Sequence, residues 1–516
     1  MFKMKKIFTS VLLLLFAQLS RANNLAISTP VYSAETLTFT ISWDNSWNIS
    51  VGPSNHDAVW IFVKRQKCTG NNDWVHQLIS TTASDHTAKT GTNPSTVVSV
   101  VPVSDGFGVF IKRIGTNVTG NVASQTITLK LGSTSPSIAT TTTDNFKVLG
   151  IEMVYVPEGE FYIGDGRTTA RNAAFCMGAS TAPLKITSAI QGAGIGAASN
   201  YTMSNAYGCS VPLPSSFPLG YNGFYCMKYE ILQGQFLEYL NSLTYDQQAA
   251  RLKPTSATYL PNQTPPVTFY NWNSINMVTS TAGTYNSKPA VFSSIYPHLP
   301  MGGLNWQDLC SYLDWSGLRP MTEFEFEKAC RGNNGGTANA PVAFEYAWGT
   351  TILTGGTNAN YFNGNFTASA TWGAYEGACR YWEDNGPIRA GFASSATSNR
   401  SQAGATYYGI MEMSGNVSEQ CVGGGAGYDY SNFTNANGDG LLTTDGLANV
   451  TGWPVNGASP GSIIRGGNFR TFGDVYDLTV SDRMYYSGTN FNSYYSNYVT
   501  DLNGNTIRAR EVGGRG

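Results

Sequence analysis

Residues 132–144 read Gly-Ser-Thr-Ser-Pro-Ser-Ile-Ala-Thr-Thr-Thr-Thr-Asp, and the hydrophobic pattern of the chain changes across them. A Ser/Thr-rich run of this kind suits a linker. Before it, apolar residues alternate: in Leu37-Thr-Phe39-Thr-Ile41-Ser-Trp43 every second side chain is apolar, the period of a half-buried strand. Val59–Val63, Val97–Val103, Gly108–Lys112 and Thr126–Leu131 are further strand candidates, separated by Gly, Asn, Ser and Thr. No helical period shows, so a β-sandwich is expected over residues 23–147. His56, Asp57 and Trp60 read there as a turn followed by a core strand.

After the linker, strands and short helices mix. Met153–Gly164 predicts a strand, a Pro-Glu-Gly turn and a second strand, and Phe224–Glu230 predicts another. Phe236, Leu237, Leu240 and Leu243 fall on one face of a helix beginning at Gln233, and Trp306–Trp315 has the same period. Thr322 with Glu325 is a capping box that opens a third helix, and Gly332 after Arg331 stops it. The fold class expected is α+β: an all-β first domain, then residues 148–516 with few helices and many loops.

Charge excludes several functions. Charged residues make up 12% of the chain and the formal charge is −2, so a basic footprint for nucleic acid or anionic lipid is missing. Three of the four histidines, His56, His76 and His86, precede the linker. His298 alone follows it, too few for a histidine-rich metal centre.

The first 22 residues have the pattern of a secretory signal peptide. Lys3, Lys5 and Lys6 precede the apolar run Ile7–Ala17, and Ser20 and Ala22 supply small residues at a cleavage site. The mature chain is expected to begin near Asn23 and to reach the periplasm, the cell surface or the outside. No later apolar run has the length of a transmembrane helix, and no cysteine precedes Cys68 to carry a lipid. Eight cysteines in an exported chain permit disulfides, and none has C-x-x-C spacing. Cys176 and Cys209 bracket a Gly/Ala/Ser-rich insertion, and a bridge between them is expected.

Seven ordered motifs carry a resemblance: MVYVPEGEFYIG (Met153–Gly164), FYCMKYEILQGQFLEYL (Phe224–Leu240), LNWQDLCSYLDWSGLRPMTEFEFEKACRG (Leu304–Gly332), YAWG (Tyr346–Gly349), ANYFNG (Ala359–Gly364), GIMEMSGNVSEQ (Gly409–Gln420) and RGGNF (Arg465–Phe469). The closing GGRG, Gly513–Gly516, is similar to a family ending of Gly-Phe-Arg. Residues 148–516 thereby resemble the formylglycine-generating enzyme family, also called the sulfatase-modifying-factor domain, in a secreted, Bacteroidetes-like form. The resemblance implies a C-type-lectin-like fold.

Catalytic members of that family oxidise a substrate cysteine with O₂ at Cu(I) held by two cysteines after the Arg-Gly-Gly motif. The matching positions here are Thr471 and Tyr476, and no cysteine follows Cys421. Hydroxyl and phenol oxygens are poor donors for soft Cu(I), so no copper is expected. A second branch works at non-haem iron and needs histidines from a preceding helical domain, which this chain does not carry. The resemblance therefore implies a scaffold without catalysis, for binding or assembly at a cell surface. The alternatives are an enzyme with residual or altered oxidase activity, and a structural subunit of a surface filament or complex.

The resemblance also implies structural calcium. One site would use the carbonyls of Gly415 and Val417 and the carboxylate of Glu419. A family asparagine is Gly409 here and a family tryptophan is Ser418. A second site would begin at Asn360 and the carbonyl of Tyr361, with further ligands near Glu383 and Asp384. The competing reading of Glu419 is a cap on backbone amides.

Residues 485–498 are rich in Tyr, Ser and Asn, the composition of adaptable recognition loops. Tyr485, Tyr486, Asn490, Asn492, Tyr494 and Tyr495 are the candidate ligand-binding residues, for an unknown protein or glycan; homo- or hetero-assembly is the other partner expectation. Trp306, Trp315 and Trp348 read as core. Glu323, Glu325 and Glu327 read as helix-dipole partners, Asp482 and Arg483 as an internal pair, and Asn435–Gly440 as a turn that only begins like an EF-hand loop.

Overall fold

A computed structural model describes residues 24–67, 73–90, 96–133, 144–167, 175, 182–195, 213–252, 275–277, 289, 291–302, 304, 306–333, 341–353, 376–377, 379–381, 386–394, 397–423, 433–454, 462–469, 475–483 and 515–516. Among them, strands are many and helices few and short, as an α+β chain requires.

Two antiparallel sheets form the first part. One runs Ala26–Ile27, Thr36–Asn48, Val118–Lys130, Thr87–Lys89, with Val31–Ser33 also on Thr36–Asn48. The other runs Phe224–Met227, Asn145–Val156, Asp57–Gln66, Val109–Arg113, Val98–Pro102, with Trp74–Gln77 on Asp57–Gln66. The alternation of Leu37, Phe39, Ile41 and Trp43 places all four in the core between these sheets.

The Asp57–Gln66 strand explains a run that does not alternate. Val59, Ile61 and Val63 face the first core, and Trp60 and Phe62 face a second one belonging to the later residues. Both faces are covered, so both must be apolar. Lys64 shares the face of Trp60 and Phe62 and is 1% exposed. Its ammonium donates to the carbonyl of Trp315 at 2.6 Å, and the Trp60 indole donates to that of Ser316 at 2.8 Å. These carbonyls end the Trp306–Trp315 helix, where backbone acceptors lack intrahelical donors and a positive charge is favoured.

The Asn145–Val156 strand joins the two regions. Its register pairs Asn145–Val154 with Gln66–Asp57 and Met153–Val156 with Met227–Phe224. Position 147 therefore lies inside a strand that both halves share. The two strands expected in Met153–Gly164 appear, and the second, Phe161–Ile163, pairs with Leu184–Ile186 and not with the first.

The predicted helices appear at Gln233–Leu240, Trp306–Trp315 and Glu323–Arg331, and Trp306, Trp315 and Trp348 are buried. Thr322 Oγ1 accepts from Glu325 N at 3.2 Å, and Glu325 Oε2 accepts from Thr322 N at 2.9 Å. Gly332 then leaves the helix at φ +79°, with the Tyr407 ring where a side chain would stand. Helices at Ser188–Ala193, Tyr245–Leu252 and Arg400–Ala403 were not foreseen. No helix among the described residues is long and apolar enough to cross a membrane.

Candidate functional site

Two clusters of buried charge organise the later region. In the first, Glu323 and Glu327 stand four residues apart on one helix face and meet arginines from distant segments. Glu323 Oε2 accepts from Arg465 Nη1 at 2.9 Å and Arg483 Nε at 2.7 Å, and Glu323 Oε1 accepts from Arg483 Nη2 at 2.9 Å. Arg465 Nη2 reaches Glu327 Oε1 at 2.6 Å, and Arg331 pairs with both Glu327 and Glu345. Burial pushes the Glu327 carboxyl up, but Arg331 and Arg465 outweigh it and hold the group below its usual range. The alternating glutamates thus divide their roles: Glu325 caps the helix and pairs with Arg319, while Glu323 and Glu327 bind arginines. Arg483 is a brace to Glu323, a partner that the adjacent Asp482 did not suggest.

The second cluster gathers Glu230, Glu412 and Glu419 about Arg515. Glu419 is fully buried, and its Oε1 accepts from Arg515 Nη2 at 2.7 Å and Nε at 3.1 Å. Glu230 accepts from Val417 N at 3.0 Å and Asn416 Nδ2 at 2.9 Å. Glu412 accepts from Gly391 N at 2.7 Å and sits at φ +55°, a region a glutamate occupies only when its surroundings hold it there. Oε2 of Glu412 and Oε2 of Glu419 are buried without a hydrogen-bond partner. Burial raises the proton affinity of all three carboxyls, and Arg515 opposes it.

The residues expected to hold calcium fall on this second cluster. Gly415, at φ +88°, and Val417 flank Asn416, and Glu419 begins the Glu419–Val422 strand paired with Ser462–Arg465. The loop bonds Glu230 through Val417 N, and Glu419 Oε1 is already taken by a guanidinium. The free Oε2 faces Gly466, where an added Cβ would lie 2.6 Å away. The oxygens expected from this loop, Glu419 Oε2 and the carbonyls of Gly415 and Val417, are fewer than the six to eight that calcium takes. Among the described residues no group of three or more His, Cys, Asp or Glu could hold a metal. Glu419 pairs with Arg515, and Glu230 accepts from the Val417 amide.

Asn360, Tyr361, Glu383 and Asp384 lie outside the described residues, as do Thr471, Cys176, Cys209 and the candidate binding residues Tyr485, Tyr486, Asn490, Asn492, Tyr494 and Tyr495. Tyr476 is described. It is 42% exposed on the short Val475–Leu478 turn of helix, its ring 4.9 Å from that of Phe344. Phe344 in turn lies under the guanidinium of Arg167, which Asp165 holds.

Arg515 was not anticipated as the partner of Glu419. Its signal was the glycine-flanked arginine of the closing GGRG, which names no partner. Arg465 carried a stronger one, the Arg-Gly-Gly motif, with Gly466 leaving room for Glu419.

A mixed fold with short helices around buried Glu–Arg clusters defines an α+β scaffold of the sulfatase-modifying-factor type. The family profile described as "Sulfatase-modifying factor enzyme 1-like domain" matches residues 140–493, about two thirds of the chain. The chain belongs to that family. No curated protein matches it.

Proposed function

We propose that this chain is a secreted or cell-surface protein that uses its family scaffold for binding or assembly and not for catalysis. The observation that carries the reading concerns thiols. The copper-dependent oxidation in this family needs an accessible cysteine pair, whereas the cysteines among the described residues, Cys226, Cys310, Cys330, Cys379 and Cys421, are all buried, none more than 3% exposed. Burial raises each thiol, Cys226 to about 12, and an inert structural thiol has this character. The sequence after Cys421 has no cysteine, and Tyr476 stands at one position where the sequence resemblance would place one.

In this reading residues 1–22 direct export, residues 23–147 form a β-sandwich, and the Tyr/Asn-rich stretch around Tyr485–Tyr495 makes the contact. Arg515 supplies the countercharge at Glu419, so no calcium is required there. The test is incubation of the full chain with a Cys-x-Pro-x-Arg peptide, copper and O₂. Unchanged peptide is the expected result; turnover to the aldehyde would overturn the proposal.

A further inference from the structure

A cavity of about 290 Å³ opens between the Phe224–Met227 strand, the start of the Glu323–Arg331 helix and residues 435–437. Among the described residues, Tyr476 is not part of its lining. Its volume is at the small end of ligand pockets and suits one or two sugar-sized rings.

Its chemistry is neutral and hydrogen-bonding. Asn222, Asn435 and Asn437 line it, and no hydrogen bond within the protein occupies their side-chain amides among the described residues. Each carboxamide offers both donors and an acceptor, the complement of neighbouring hydroxyls. Arg319 and Glu325 also line it, but they neutralise each other through two contacts, Nη1–Oε2 at 2.9 Å and Nη2–Oε1 at 2.5 Å. Among the described residues, an anionic ligand therefore meets no free cation on this wall. Half-buried Tyr225 adds an aromatic surface, rigidly held: its ring stacks on Phe110 at 3.9 Å and its hydroxyl meets His56 Nε2 at 2.9 Å. Burial lowers His56 to about 4 and raises Tyr225, so both are uncharged at neutral pH.

We propose that this cavity binds a neutral saccharide unit, with Asn222, Asn435 and Asn437 engaging its hydroxyls and the Tyr225 wall taking its C–H face. A charged ligand would leave its charge unmatched here, and a wholly apolar one would strand the three amides. The Asn435–Gly440 segment, a turn in sequence terms, gains a role as the outer wall. The proposal adds a second contact to the binding reading without depending on its loop.

The experiment is saturation-transfer NMR and calorimetry on the full chain with the methyl glycosides of glucose, galactose, mannose and N-acetylglucosamine, with glucuronate and inorganic phosphate as anionic probes. At least one neutral glycoside should bind. The Asn435→Ala/Asn437→Ala variant should bind it about tenfold or more weakly, as loss of two hydrogen bonds implies. Both side chains are exposed, so the melting temperature should hold; Asn222→Ala, on another segment, checks the same wall. Binding of anions alone, no glycoside binding at tens of millimolar (about the weakest useful range), or equal affinity in the asparagine variants would overturn the proposal. Aldehyde formation from the cysteine peptide would overturn the non-catalytic reading and leave this one standing.

Discussion

Arg515 Nη2 lies 2.7 Å from Glu419 Oε1, and both side chains are fully buried. The same guanidinium lies 3.4 Å from the carbonyls of Met227 and Lys228 and 3.3 Å from that of Glu412. One side chain thus ties the Phe224–Met227 edge, the 412–419 loop and the Glu419–Val422 strand together. Removing it would leave a carboxylate buried without its cation. Arg515→Ala should cost about 3–5 kcal/mol, read from urea unfolding. Arg515→Lys should recover part of this, since an ammonium keeps the charge and loses the two-point contact. A loss below about 1 kcal/mol would place the pair in the range of an exposed bridge.

The same contact sets the response to calcium. A ligand that binds the folded state raises its stability by mass action. With Oε1 of Glu419 engaged by Arg515, melting curves in excess EGTA and in millimolar calcium should coincide. A calcium-dependent rise that disappears in Glu419→Gln would show that the guanidinium yields to the ion.

Three carboxyls about one guanidinium give the fold a pH dependence. Burial raises Glu412 from the ordinary value of 4.5 to about 7, against the opposing charge of Arg515. Between these values the folded state holds more protons at this residue than the unfolded state does. Its contribution is therefore fully present below about pH 4.5 and is lost as pH rises through about 7. Glu412→Gln keeps a neutral side chain at all pH values. The wild-type stability relative to that variant should fall by on the order of 2 kcal/mol between pH 4.5 and 8. His56 titrates with the opposite sign between about 4 and 6.5, and it cancels because both proteins carry it. Parallel stability curves for the two proteins would refute this assignment.

Arg465 reaches both Glu323 and Glu327 with no exposed surface on any of the three. Arg465→Ala takes one guanidinium from each of two buried carboxylates, which keep Arg483 and Arg331 respectively, and should cost about 3–5 kcal/mol. Arg483→Ala leaves Glu323 still paired with Arg465 and should cost less. Equal losses would mean that the two arginines act as one unit.

What could be read from the sequence followed the reach of each signal. Thr322 acts with Glu325 three residues on and Gly332 with the Lys328 carbonyl four residues back, and the helix they bound is legible. The alternation of Leu37–Trp43 was legible for the same reason. The Glu419–Arg515 pair spans 96 residues, and nothing local encodes it. Phe161–Ile163 was read as a strand, but its partner was not, since composition specifies strand character and not pairing. Lys64 carries no local signal of burial, because a lysine at the end of an apolar run reads as a strand terminus in water. Its place on the inward face shows only once a helix end lies opposite.

Lys64 therefore supplies the last prediction. The strand's period of two places it beside Trp60 and Phe62 on the covered face. There its ammonium donates to Trp315 O at 2.6 Å and approaches Gly440 O and His76 Nδ1 at 3.3 Å. It also lies 4.9 Å from the Trp315 ring centroid. Burial pulls it down to about 7, against the pull of Asp314 and Asp439. Because its folded value is lowered, the folded state binds fewer protons than the unfolded state between about pH 7 and 10.5, and its contribution to stability rises with pH across that window. Lys64→Met keeps the apolar stem and leaves the Trp315 carbonyl without this donor. The variant should lose about 1–3 kcal/mol, the cost of an unsatisfied buried acceptor. It should also lose the rise in stability from pH 7 to 9. Hydrogen exchange locates the effect: faster exchange should appear at the Asp57–Gln66 strand and at the end of the Trp306–Trp315 helix together. Faster exchange confined to the strand would mean that Lys64 fills space without joining the two regions.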